Sequence, residues 1–199
     1  MPKPKIIFFV VVMVFATLWR VWETFRKQGS ARGQTSLVWS FYLLFALSVV
    51  IFLGTIVEFW LVPRPFHWTP ALVGAALFVG ANIIRIRAIR ALGKFWSLHI
   101  EIREQHQFVR SGIYGSIRHP AYLSFVLEHI AVPLAGNAWW ALAVTVVVYV
   151  PVLLWRWHTE ELALCAKFGE SYRAYQREVG AWWPRGWTGR RPAKIVHWL

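Results

Sequence analysis

Apolar stretches separated by short polar ones dominate the chain. Residues 6–19 carry no charge, and apolar character continues past Arg20 to residue 22. A secretory leader after Lys3 and Lys5 would be followed by a small-residue cleavage site. Glu23, Arg26 and Lys27 follow instead, so a retained first span is expected. Residues 37–57 are uncharged and residues 59–62 extend them beyond Glu58, long enough for a bilayer core that takes about 20 helical residues. Residues 66–84 make a third span, entered through Trp68, Thr69 and Pro70, with Gly74, Ala75 and Gly80 as a small-residue face for close packing. After a polar stretch over 85–118, apolar character runs from 120 to 155, interrupted by Glu128 and His129. That length suits two short helices better than one. Pro133, Gly136 and Asn137 lie where a reversal needs turn residues, so the pattern predicts a helical hairpin, 120–135 and 138–158.

Five spans follow, all helical, because lipid requires each segment to pair its own backbone groups. Beyond them, residues 160–179 place Leu162, Leu164, Phe168, Tyr172 and Tyr175 among charged side chains. This predicts an amphipathic helix on the membrane interface or over the site, with a break at Gly169. The expected fold class is therefore an all-α, polytopic membrane protein. Residues 1–84 form an anchor, and residues 85–199 hold most ionisable groups and the function.

Composition agrees with lipid as the solvent. Of 199 residues 57% are hydrophobic and 16% charged, with 14 Trp and 14 Phe, against about 25% charged in soluble domains. The formal charge of +13 would suit phosphate partners, but the basic residues are interleaved with spans, which excludes disorder and a simple nucleic-acid binder. If the loop after the first span is cytoplasmic, only Lys3, Lys5 and Arg64 fall on the other side. The positive-inside rule then puts the N-terminus outside and the C-terminus in the cytoplasm. Much of this charge would simply meet anionic membrane lipids. One cysteine, Cys165, excludes an internal disulfide framework and a cysteine metal cluster.

Three polar clusters stand out. Gly112-Ile113-Tyr114 followed by Arg118-His119-Pro120-Ala121-Tyr122 suits a tight turn and a helix start with proline in its first turn. A loop-to-helix junction with interfacial Tyr and Arg explains it, and so does a site for an anionic ligand group at a helix N-terminus. Arg156, His158, Glu160 and Glu161 end the fifth span. Arg156 and Glu160, four residues apart, share a helix face, as a snorkelling helix end or as two arms of a ligand site. Glu128 and His129 lie inside the fourth span, where an acid costs about 2.5–3.5 kcal/mol on insertion scales. A structural partner, such as His129 or an Arg from the third span, and a substrate role are equally open. The sequence lacks the glycine-rich fingerprints of dinucleotide sites and P-loops and the His-Glu-x-x-His of zincins, and no internal repeat suggests a transporter.

The ordered set from Gly112-Ile-Tyr114 and Arg118-His119-Pro120-Ala-Tyr122, through the hairpin, to Arg156-Trp-His-Thr-Glu160-Glu161 and Phe168-Gly169-Glu-Ser-Tyr172-Arg-Ala-Tyr175 resembles the isoprenylcysteine carboxyl methyltransferase family and the related phospholipid methyltransferases. The resemblance covers about residues 85–185. It implies an integral membrane enzyme that transfers a methyl group from S-adenosyl-L-methionine to a lipidic or prenylated acceptor, with the cofactor on the cytoplasmic side and no metal. Position by position it implies cofactor contacts at His106, Gln107, Phe108, Val109, Tyr114, His119, Pro120, Ala121, Tyr122 and Glu160, and at His99 in some members. Arg156 falls where the family has an Arg facing the acceptor.

The chemistry of such a reaction suits these residues. Glu160 could pair with the cofactor's ammonium, the turn at His119 could take its carboxylate, and Phe108, Val109 or Tyr122 could wall its adenine. Displacement from an activated donor needs mainly alignment and exclusion of water. If the acceptor is a carboxylate, Arg156 would fork it. If it is an amine, a proton must leave, and Glu128, His119 or Glu160 becomes the base. Glu128 is thus a further substrate-site residue. The alternatives are lipid-amine N-methylation, a nicotinamide-dependent reductase of the sterol-reductase type, and a non-enzymatic membrane protein whose polar clusters are interfacial anchors.

Overall fold

The computed structural model describes residues 3–25, 34–36, 38–93, 100–102 and 109–185. Helices fill the apolar stretches: α1 (Pro4–Phe25), α2 (Val38–Leu61), α3 (Trp68–Leu92), α4 (Pro120–Gly136), then α5 (Trp139–Val144), a π-helical turn Thr145–Tyr149 and α6 (Val150–Phe168) in one continuous rod, followed by α7 (Glu170–Glu178). The non-helical pairing among the described residues is slight. β1 (Gln34–Ser36) and β2 (Ile100–Ile102) form a three-residue antiparallel ladder with Thr35 opposite Glu101. Three helices, Trp39–Leu61, Trp68–Leu92 and Trp139–Phe168, are long and apolar enough to cross a membrane, and Pro4–Trp19 is a shorter apolar helix. Large side chains such as Leu61, Trp140 and Val147 stay more than 70% exposed on the outer faces, which suits a lipid surrounding rather than water.

The third helix extends beyond its expected end. The third runs eight residues past residue 84, so the segment expected as the start of a polar loop is helix, and Arg85 is buried in it. Ala71, Gly74, Phe78, Ala81, Arg85 and Ala88 are all buried, at alternating spacings of three and four that draw one seam along the helix. This seam meets α4 in the most extensive helix pairing of the structure. A Cβ on Gly74 would lie 2.5 Å from the Ala135 nitrogen and 2.6 Å from the Ala131 oxygen, so only hydrogen fits there, whereas Gly80 faces open space. Of the expected small-residue face, Gly74 is the member that makes the close approach.

The hairpin turns where expected. Asn137 adopts the left-handed conformation with φ 54°, a residue type that tolerates it. Its side chain accepts a hydrogen bond from the His67 amide at 2.8 Å and donates to the His67 carbonyl at 3.1 Å. Pro133 sits inside the last turn of α4 rather than in the reversal. Glu58, the charge inside the second apolar stretch, accepts hydrogen bonds from the amides of Trp140 and Ala141 at 3.0–3.1 Å and pairs with Arg64 at 2.8 Å. It thus satisfies the exposed first amides of α5, where a carboxylate is favoured.

Within the long rod, Pro151 lacks the amide that would bond to Val147, and its ring would crowd that carbonyl. The preceding turn widens to π geometry over Thr145–Tyr149, the usual way to absorb such a defect. Thr145 Oγ1 donates to the Ala141 and His129 carbonyls, tying the wide turn to α4.

Replacing Gly74 by Ala should lower the thermal unfolding midpoint in detergent, since overpacking costs about 1–3 kcal/mol, while Gly80→Ala should leave it unchanged. Comparing the two melting curves checks the close approach of α3 and α4.

Candidate active site

The loop before α4 is built for a tight path. Gly112 has φ 61°, a conformation that suits glycine, and opens a one-turn 3-10 segment, Gly112–Gly115, whose Tyr114 is buried. The chain then enters α4 with Pro120 in the first turn, as its sequence predicts.

Arg118, His119 and Tyr122 converge on the two acids of α6. Glu161 is the hub. Arg118 donates from Nε and Nη2 to its two oxygens at 3.3 and 3.0 Å, and His119 Nε2 lies 2.5 Å from Oε1. Tyr172 Oη and Gln176 Nε2 donate to it from α7 at 2.7 and 2.6 Å. The same Arg118 donates to the carbonyls of Gln176 and Val179 at 3.0 and 2.5 Å. One guanidinium thus binds a carboxylate through two nitrogens and holds two carbonyls, a use of the planar fork that Lys could not match. Burial, and then the Glu161 charge, push the Tyr172 hydroxyl far above its ordinary range, so it remains a protonated donor. Burial and the Glu160 charge do the same to Tyr114. Tyr175 Oη donates to the Tyr114 carbonyl at 2.5 Å, which docks α7 on the 3-10 turn.

Glu160 has a different environment. It stays half-buried and, among the described residues, accepts one hydrogen bond, from Tyr122 Oη at 2.5 Å. The Arg156 guanidinium also acts on that hydroxyl and donates to Ser40 Oγ of α2. Arg156 and Glu160 do share a helix face, linked through Tyr122. Four rings form a closed circuit beside them, all edge to face: His119 to Tyr122 at 5.7 Å, Tyr122 to Trp182 at 6.5 Å, Trp182 to Trp157 at 5.5 Å and Trp157 to His119 at 6.1 Å.

The structure thus brings Tyr114, His119, Pro120, Ala121, Tyr122, Arg156 and Glu160 to one end of the helix bundle. Val109 is half-buried at the start of the same loop. His99, His106, Gln107 and Phe108 lie outside the described residues. His158 is exposed. Glu128 is elsewhere: it pairs with Arg85 of α3 at 2.9 Å, with both side chains almost fully buried, and Arg85 also reaches Ser124 Oγ at 3.3 Å and lies 4.3 Å over the Phe125 ring. Of the two roles open for this acid, the ion pair fulfils the structural one. His129 is likewise held, by Ser48 Oγ at 2.7 Å and by stacking on Tyr149 at 3.9 Å. Sequence reasoning missed Arg118, Tyr172 and Gln176 as partners of Glu161, and Trp157 and Trp182 as walls. The spacing of Tyr172 and Gln176, four apart on one helix face, was the available signal.

This is a helical integral membrane protein with an acid, an arginine and aromatic rings gathered at one end of its bundle. The sequence model of the isoprenylcysteine carboxyl methyltransferase family matches residues 74–166. A probable protein-S-isoprenylcysteine O-methyltransferase of Oryza sativa subsp. indica is 25% identical over 160 residues, covering 73% of each chain. A methanethiol S-methyltransferase of a Pseudomonas strain is 27% identical over 168 residues, 76% of this chain and 60% of that one. Among solved structures, the eukaryotic intramembrane Ras methyltransferase, an isoprenylcysteine carboxyl methyltransferase, superposes with a TM-score of 0.58 at 20% identity. The overlay covers 72% of this chain and about half, 53%, of that one, and it shows a shared fold. The likeness expected from the motifs is therefore found by sequence model, by relatives and by fold: the chain resembles the isoprenylcysteine carboxyl methyltransferase family.

Glu161→Gln should be a folding defect. Removing one partner of a buried ion pair costs about 3–5 kcal/mol, because Arg118 then keeps its charge without a counter-ion. The expected outcome is a large drop in the melting temperature in detergent, and a melting curve equal to wild type would disprove the hub.

Proposed function

We propose that the chain is an S-adenosyl-L-methionine-dependent methyltransferase of a membrane-embedded lipidic acceptor, with carboxyl O-methylation of an isoprenylcysteine-like substrate as its reaction. The observation that carries this reading is the pairing of Glu160, a half-buried acid held by one tyrosine, with the ring circuit of His119, Tyr122, Trp157 and Trp182. The donor set fits the cofactor. Glu160 suits an ammonium, the rings suit an adenine and a sulfonium, and Trp157 Nε1, buried with no hydrogen-bond partner among the described residues, offers a donor. When bound, the cofactor supplies an activated methyl group.

What the chain supplies is alignment. Tyr122 orients the Glu160 carboxylate, and Arg156, anchored by Ser40 and Tyr122, presents a guanidinium toward an acceptor carboxylate. Three helices meet at Arg156, so acceptor and cofactor sides share one rigid junction. Water exclusion falls to α7 and the rings, since no strong base is needed when the nucleophile is a carboxylate already ionised at neutral pH. The ion pair of Glu128 with Arg85 makes it a poor base for an amine acceptor, which favours O-methylation over N-methylation. The family match weighs against the sterol-type reductase. In this reading all five apolar helices cross the membrane, the N-terminus is external, and the basic loops, the C-terminus and the cofactor site are cytoplasmic. Residues 160–179 lie along that interface over the site. Residues 1–84 serve as the anchor and residues 85–199 as the cofactor-binding half.

Purified protein with methyl-labelled cofactor should transfer label to a prenylcysteine acceptor, and mild base should release that label as a methyl ester. Base-stable label would point to an amine acceptor instead. Arg156→Ala and Glu160→Gln should each lower turnover at least tenfold, Glu160→Gln with a melting temperature close to wild type. Unchanged turnover in either variant would remove that residue from the site.

A further inference from the structure

The segment after α7 returns to the start of α4. The amides of Arg118 and His119 donate to the carbonyls of Gly180 and Ala181 at 2.9 and 3.0 Å, and Arg118 Nη1 holds the Val179 carbonyl. Gly180 makes this path possible: a Cβ there would lie 1.9 Å from the Trp183 oxygen. The result sorts two neighbouring tryptophans. Trp183 is 74% exposed, while Trp182 is half-buried against Tyr122 and Trp157 and completes the ring circuit. Trp182 lies beyond residue 166, where the match to the family model ends. Beside it, the indole nitrogen of Trp157 is buried with no acceptor among the described residues, an arrangement that packing alone would disfavour.

We propose that Trp182, delivered by the folded-back C-terminal segment, is a cofactor-binding residue whose ring, with those of Tyr122 and Trp157, takes up the sulfonium cation of the methyl donor. The inference rests on the reading given above as the proposed function. Tyr122 connects the two halves of the argument, since its hydroxyl holds Glu160 and its ring faces Trp182. A cation is attracted to aromatic faces more strongly than a neutral thioether is, especially once desolvated. The circuit therefore favours the charged donor over the product left after transfer, which lets the product leave. The Trp182 ring bonds covalently to nothing and moves no proton. Its role is to discriminate by charge.

The experiment titrates full-length protein in detergent with S-adenosylmethionine and, separately, with S-adenosylhomocysteine, by calorimetry. Trp182→Leu should weaken binding of the charged donor about fivefold to thirtyfold and change binding of the neutral product less than twofold. Equal weakening of both ligands, or no change in either, overturns the proposal, because a neutral wall or a remote residue would behave that way. If Trp182→Leu does not yield folded protein, Trp182→Phe decides: about threefold weaker donor binding with the product unchanged supports the proposal, and equal effects overturn it. Wild-type protein that binds neither ligand would overturn the proposed function itself, a result distinct from any pattern among the variants.

Discussion

A single carboxylate, Glu161, fixes the end of the bundle where the chemistry is proposed. It gathers Arg118 and His119 from the approach to α4 and Tyr172 and Gln176 from α7. Four donors around one acid satisfy its charge almost without water, and Arg118 extends the bond to the carbonyls that end α7. Burying such a charge without this company would cost several kcal/mol. With it, α4, α6 and α7 become one body. Among the described residues, the neighbouring acid, Glu160, has a single hydroxyl partner, and it stays partly exposed. Two adjacent glutamates thus divide between holding the fold and, in the proposed function, facing a ligand, and the holding member positions the other.

Legibility in the sequence followed the physics of each position. Gly112, Pro120, Asn137 and Gly169 mark turns and helix ends because backbone conformation is a local property, and all four do in the structure what their residue types favour. The apolar stretches were equally plain. Arg85 was not, because a charged residue at the edge of an apolar stretch reads as the start of a loop. Its burial depends on Glu128 arriving from another helix at the matching height. The pair Glu160 and Glu161 suggested a site, yet nothing local distinguishes the two. The distinction is made by which face of α6 meets Arg118 and α7, a tertiary fact. Trp182 was hidden for the same reason, since its neighbours Tyr122 and Trp157 are sequence-distant and the connection depends on the return of the chain at Gly180.

The two ends of the bundle solve the same electrostatic problem with different means. At the hairpin end, the Glu58 carboxyl meets the first amides of α5 and Arg64, so helix dipole and side-chain pairing share the work. At the opposite end of the long rod, side-chain donors replace the dipole around Glu161. Between them, Arg85 with Glu128 and Ser48 with His129 place polar contacts inside the packed helices. Such contacts fix which faces meet, because a rotated helix would strand a charge in an apolar surrounding.

The π-helical turn Thr145–Tyr149 has a bearing on this register. Ala141, Thr145, Tyr149, Leu153 and Arg156 are all buried along the rod, and three successive steps of four residues drift about 40° each on a regular helix. The wide turn takes up that drift, so that Ala141 at the hairpin and Arg156 at the site both face inward. It works as an angular offset set into the rod. Because one residue corresponds to about 100° of rotation, the aim of Arg156 and Glu160 is set earlier along the rod, by the wide turn that begins at Thr145 and ends just before Pro151.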